Sequence, residues 1–169
     1  MSLLAELDYP ARSRHAVFSP CRTYRYALSR VWAADKPYAL FIGLNPSTAD
    51  ETLDDPNIRR CIDFAKRWGY GGLVMANLFA YRATDPAVMM RAAEPVGELN
   101  DPWLIALAAQ AGVVIAAWGE QGAFGQRSAQ VRQLIPQLHY LQLNKSGQPR
   151  HPLYLKRTLV PQALDGRAQ

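Results

Sequence analysis

The stretch GLNPSTADETLDD, residues 43–55, places the Asn45 amide, the Ser47 and Thr48 hydroxyls and four carboxylates close together. The Asn45 amide can donate and accept at once, which suits it to holding a water. Ser47 and Thr48 offer hydroxyls to an anion, although Asn-Pro-Ser-Thr is also ordinary turn chemistry. The acids Asp50, Glu51, Asp54 and Asp55 follow. Asp54 and Asp55 suit the start of a helix, where negative charge is favourable. Asp50 and Glu51 have no such task, so a divalent cation is an alternative, but no HxE or DxD spacing supports one. Asn77 lies in VMANLFAYRATDP, where its amide could read a base edge or stitch a loop to a sheet. Phe79 and Tyr81 offer rings for base stacking, and Phe79 suits a core equally well. His151, in GQPRHP, could donate to developing negative charge or serve structure alone. Arg82 and Arg150 are the anion-binding candidates. Arg59 and Arg60 fall on a helix, with Arg59 read as solvated surface.

The surrounding pattern says which elements must carry these residues. TYRYALSRVW, residues 23–32, alternates and predicts a half-buried strand with Tyr24, Tyr26 and Leu28 on one face. HAVFS is its hairpin partner, so residues 14–32 form an N-terminal hairpin addition to a single domain spanning 1–169. YALFIGL, 38–44, is a continuous apolar run, as in a strand covered on both faces. DPNIRRCIDFAKRWG predicts a helix with Asp55 as cap, Pro56 at its first position and Gly69 at its end. Its apolar stripe is Ile58, Cys61, Ile62, Ala65 and Trp68. GLVMANLF (72–79), VVIAAWG (113–119) and LHYLQL (138–143) read as strands. NDPWLIALAAQAG (100–112), with the same Asp-Pro start and a Gly stop, and residues 125–135 read as helices, and HPLYLKRTLV ends in a short one. Strands alternating with helices predict a three-layer α/β/α sandwich on a mostly parallel sheet. Ligands bind beyond the carboxyl ends of such strands. The loops after Leu44 and Ala76 and the loop KSGQPRHP should therefore converge.

Composition excludes several classes. At 169 residues, 49% hydrophobic and 20% charged, the chain fits one folded domain and is too apolar to be disordered. Its formal charge of +5 permits an anionic partner without demanding one. Cys21 and Cys61 form no CxxC pair, which argues against a disulfide scaffold or zinc knuckle. Neither a signal peptide nor a membrane span of about 18 apolar residues is evident, so no membrane partner and a cytoplasmic location are expected. No cofactor is expected, and oligomeric state is left open.

The segments GLNPSTADETLDDPNIRRC, ANLFAYRATDP, AWG and GQPRHPLYL, in that order, resemble an uncharacterised bacterial family, a domain of unknown function. More distantly they are similar to the uracil-DNA glycosylase superfamily, whose mismatch-specific form carries GINPG where GLNPS stands here. That resemblance implies a glycosylase-like fold in which Asn45 positions water, Asn77 holds the base and His151 stabilises the departing base anion. One departure is plain: His-Pro-Leu stands where the superfamily reads His-Pro-Ser, removing a phosphate-binding hydroxyl. The leading expectation is a nucleobase- or nucleotide-binding protein, an N-glycosidase on a modified base in nucleic acid or in a nucleoside. The alternatives are a non-catalytic nucleic-acid or nucleotide-binding module on the same fold, and a metal-dependent hydrolase using the acidic cluster.

Overall fold

The computed structural model describes residues 3–164. Strands β1 (Arg14–Phe18), β2 (Arg25–Val31), β3 (Tyr38–Gly43), β4 (Gly72–Asn77), β5 (Val113–Ala116), β6 (Leu138–Tyr140) and β7 (Gln162–Ala163) form one sheet. Their order is β1-β2-β4-β3-β5-β6-β7. The central pairings β4-β3, β3-β5 and β5-β6 are parallel. The pairings β1-β2, β2-β4 and β6-β7 are antiparallel, and isolated antiparallel bridges join Tyr24 to Tyr81 and Leu143 to Pro149. The sheet is therefore mixed, which corrects the expectation of a mostly parallel one. Apolar runs alternating with helices signal crossovers only in the middle of the chain. The flanking strands are added locally, and nothing in their own pattern states direction.

Among the described residues five α-helices cover both faces. Helix α2 (Pro56–Arg67) packs Ile58, Cys61, Phe64 and Ala65 against Ala39, Phe41, Leu73 and Ile115. The opposite face carries α1 (Leu3–Leu7), α3 (Pro86–Arg91), α4 (Asn100–Gln110) and α5 (Arg127–Leu134), through Leu7, Met89, Trp103, Leu107 and Val131. Burying each large apolar side chain stabilises the fold by about 1.5–3 kcal/mol. Both faces of β3 and β4 are thus buried, which explains their unbroken apolar sequences.

Helix α2 begins as the sequence predicts. The Asp55 carboxylate accepts from the Ile58 amide at 2.8 Å, Pro56 occupies the first turn and Gly69 follows the end at φ +86°. The second Asp-Pro cap is Asp85-Pro86, where Asp85 accepts from Ala87 and starts α3. Helix α4 instead starts at Asn100 with no side-chain cap, and Asp101 is ion-paired with Arg127. The C-terminal short helix is a single 3-10 turn, Pro152–Tyr154.

Strand β2 departs from its half-buried reading, because six of its seven residues are buried. A register shift opposite Val17/Phe18 inserts an extra residue into β2. Tyr26 consequently faces one core cluster and Leu28 the other. The bulge is a property of the pairing with β1 and leaves no mark in the alternation of β2 alone.

Candidate functional site

The polypeptide leaves β3 and β4 side by side and keeps them joined. Leu78 donates to the Gly43 carbonyl at 2.9 Å, and Phe79 to the Leu44 carbonyl at 3.0 Å. The fully buried Asn100 donates its amide to the Asn77 and Leu78 carbonyls, both at 2.9 Å. Arg127 donates to Leu78 from the same side. A third loop is tied to the end of β5. The Gly119 amide donates to Pro149, and the Trp118 indole donates to the Gln148 side chain at 2.9 Å. Arg60 of α2 donates to the Pro152 and Leu155 carbonyls and holds the turn that follows His151.

These ties bring three predicted residues to one cavity. Asn45, Asn77 and His151 line a space of about 390 Å³, with Asn57, Trp118 and Glu120 among its other walls. That volume falls in the range of about 300–1,000 Å³ typical of small-molecule sites. Among the described residues, no Lys or Arg lines it.

The three polar groups are set differently. Asn45 is half-buried, and its Nδ2 donates to the Ala83 carbonyl at 2.9 Å and the Pro46 carbonyl at 3.2 Å. Both donors are spent on the backbone, so Oδ1 is the group left for a ligand or water. This corrects the picture of an amide that donates and accepts outward at once. Asn77 is only 2% exposed, and its Nδ2 is a buried donor without a partner. Such a group costs about 1–3 kcal/mol unless something accepts from it. The His151 Nδ1 accepts from the Leu153 amide at 3.3 Å, which places the proton of the neutral ring on Nε2. Desolvation lowers the His151 pKa below its ordinary value, against an opposing pull from Asp55. Although the residue is exposed at the cavity rim, this shift favours the neutral ring, whose Nε2–H is free to donate.

The other candidates are not brought to this cavity. Phe79 is 2% exposed, lies in the core and packs on Phe124. The Tyr81 ring meets Tyr24 edge-on, on the hairpin side. Arg82 donates to the Arg22 carbonyl and lies over the Phe18 ring. Ser47, Thr48 and Arg150 also fall outside the lining. Fixed sequence distance from Asn77 said nothing about which way the chain turns after β4.

The acidic residues separate into distinct tasks. Asp50 accepts from the Thr52 and Leu53 amides and the Thr52 hydroxyl, which organises the loop and lowers its pKa. Glu51 pairs with Arg22, and Asp54 pairs with Arg14 and Arg30. Asp55 caps α2. Among the described residues no group of three or more His, Cys, Asp or Glu is placed to hold a metal ion.

Two arginines missed by the sequence reading hold the loop from beneath. Arg25, 3% exposed, donates to the Ala49 carbonyl, and burial lowers its pKa to about 10. Arg30, equally buried, donates to the Asp50 and Leu53 carbonyls as well as to Asp54. Their signal was available: charged residues on a strand between apolar neighbours must find partners.

A family model described as Protein of unknown function (DUF1643) matches residues 25–153. Neither a curated protein nor a solved structure matches the chain. No described helix is long and apolar enough to cross a membrane.

Proposed function

The chain belongs to the DUF1643 family, and since that description assigns no activity, we propose from the site alone that the cavity binds a nucleobase-sized heterocycle and that the protein is an N-glycosidase. The observation that carries this reading is the orphaned, buried Nδ2 of Asn77 in the same cavity as the His151 ring and the Asn45 carbonyl oxygen. A base carbonyl would satisfy Asn77. A water donating to Asn45 Oδ1 would sit ready to attack. Its oxygen bonds to the anomeric carbon as the C–N bond breaks. The bonding electrons leave with the base, and the water's proton passes to solvent. The His151 Nε2–H donates to the negative charge that develops on the base. The likeness of GLNPS, ANLF and RHP to the uracil-DNA glycosylase superfamily supports the same roles and the glycosylase-like fold.

The lining also bears on the substrate. With Glu120 present and no Lys or Arg among the described residues of the walls, a polyanion gains little here. Leu153 stands in place of the superfamily's serine hydroxyl. Both features favour a nucleoside or nucleoside-like substrate over a polymer.

The test is release of free base from a panel of nucleosides, DNA and RNA carrying uracil, deaminated or alkylated bases. Asn45→Ala should abolish turnover and spare binding, because a water held for attack acts mainly in the transition state. His151→Ala should slow turnover on the order of 100- to 1000-fold, the usual effect of losing such a donor. Asn77→Ala should weaken binding and blur base selectivity. A second reading, a non-catalytic binding module, is favoured by one observation: the Asn45 donors are consumed by Pro46 and Ala83, leaving a single acceptor to hold water. Binding without release from any substrate would select it. Absence of both would sink both readings.

A further inference from the structure

A second cavity, of about 840 Å³, lies between the β1-β2 hairpin and the segment leading into α4. It shares no lining residue with the site around Asn45. One wall is aromatic. The Tyr24 and Tyr26 rings stack with centroids 6.3 Å apart and planes 8° from parallel. The Tyr24 hydroxyl donates to the Glu94 carbonyl at 2.7 Å and ties the hairpin to the opposite wall. Gly97 keeps that wall flush. Its φ is +91°, and a Cβ there would stand 3.1 Å from Tyr24 Cδ1 and 3.2 Å from Tyr26 Cε1.

The charged side chains of the lining itself are acidic, while Arg22 and Arg82 stand over the ring of its Phe18. Glu6, Glu94 and Glu98 contribute to the lining, and among the described residues no Lys, Arg or His does. Asp8, Glu51, Asp54, Asp63 and Asp101 form ion pairs, whereas these three form none among the described residues and share one cavity. This acidity stands out in a chain of net charge +5. Trp103 supplies an independent feature. It lines the cavity, is fully buried, and its indole N–H has no acceptor.

We propose that this cavity binds a small organic ammonium compound with an aromatic body and an oxygen acceptor. The ammonium group is drawn to the unpaired carboxylates, and the tyrosine faces favour a cation or a stacked ring. The oxygen acceptor supplies what the Trp103 indole lacks. A carboxylate-bearing analogue would be repelled by the same glutamates.

Cys21, an exposed thiol in the lining, reports on the cavity. Its Sγ donates to the Thr23 hydroxyl at 3.1 Å, and the hydroxyls of Ser19 and Thr23 draw its pKa down to about 7. Cys61 is buried, and burial raises its pKa. A thiol reagent therefore labels Cys21 selectively. The experiment compares cationic and anionic methanethiosulfonate reagents on the full chain, followed by mass spectrometry. The cationic reagent should react on the order of 10-fold faster, as local field focusing permits, although the whole molecule is positive. Glu94→Gln with Glu98→Gln should erase the difference; both side chains are exposed, and folding is checked by circular dichroism. Tyramine should then slow labelling by a neutral reagent, phenethylamine should do so less well, and 4-hydroxyphenylpropionate should not. A faster anionic reagent, or equal protection by tyramine and its carboxylate analogue, would overturn the proposal. Base release is measured at the other cavity, so failure of either reading leaves the other intact.

Discussion

The chemistry of the first cavity turns on which atoms of each side chain are already engaged. His151 accepts through Nδ1, so its usefulness depends on keeping a single proton on Nε2. Its folded pKa lies below the ordinary 6.5, with desolvation the larger cause. Between that lowered value and 6.5 the unfolded chain binds more protons than the folded one, so stability rises with pH across this window and is level above it. Turnover should follow the same direction, with an acid limb whose midpoint is below 6.5. A proton NMR titration of the His151 ring, assigned through His151→Asn, checks it. A midpoint at or above 6.5 would contradict the desolvated geometry. Gly43 makes a separate test of the cavity floor. A Cβ there would come 3.0 Å from both Asn77 Oδ1 and Met75 Cε. Gly43→Ala should therefore weaken ligand binding and lower stability by about 1–3 kcal/mol through overpacking. Calorimetric titration alongside urea melts would separate the two effects.

At the scale of elements, two devices position the site. The first is the cap of α2. Asp55→Ala removes the bond to the Ile58 amide and should cost about 1 kcal/mol. It also removes the charge that raises the His151 pKa, so that pKa should fall further. A shift in the other direction would show that Asp55 does not act on the ring. The second device is the pair of arginines under the 45–55 loop. Arg30→Met leaves the Asp50 carbonyl without its arginine donor, leaves the Leu53 carbonyl only the Asp50 amide, and takes one of two arginines from Asp54. The expected loss is about 3 kcal/mol, the lower end for breaking a buried pair. It should appear as a lower urea midpoint with an unchanged slope. A loss within experimental error would mean the loop is held by its own Asx turn at Asp50.

At the scale of the molecule, the β1-β2 hairpin braces a loop of the parallel core. Arg25 and Arg30 lie on β2, while the backbone they grip belongs to the loop after β3. The family match begins at residue 25, so β1 lies outside it. Yet β1 covers the edge of β2 along its length and buries Ala16 and Val17. A chain starting at residue 23 should expose that edge and self-associate. Size-exclusion chromatography would show larger species; a monodisperse monomer of full stability would mean β1 contributes nothing to the core.

Several features were settled by local physics and so were legible in the sequence. The apolar runs of β3, β4 and β5 report burial on both faces wherever the chain places them. Asp55, Pro56 and Gly69 bound α2 because capping acts within a few residues. The positions of Asn45 and Asn77 just past or at strand ends follow from where those runs stop. The tertiary structure decided the rest through contacts between residues far apart in the chain. It set the antiparallel flanks and the bulge that turns Leu28 away from Tyr26. It gave Glu51 and Asp54 their arginine partners and buried Phe79. It sent Tyr81 and Arg82 toward the hairpin while bringing His151 to Asn45. It also spent the Asn45 donors on Pro46 and Ala83 and left the Asn77 donor without an acceptor. A side chain's type states what it can bond, but only the packed backbone around it decides which of those bonds are already taken.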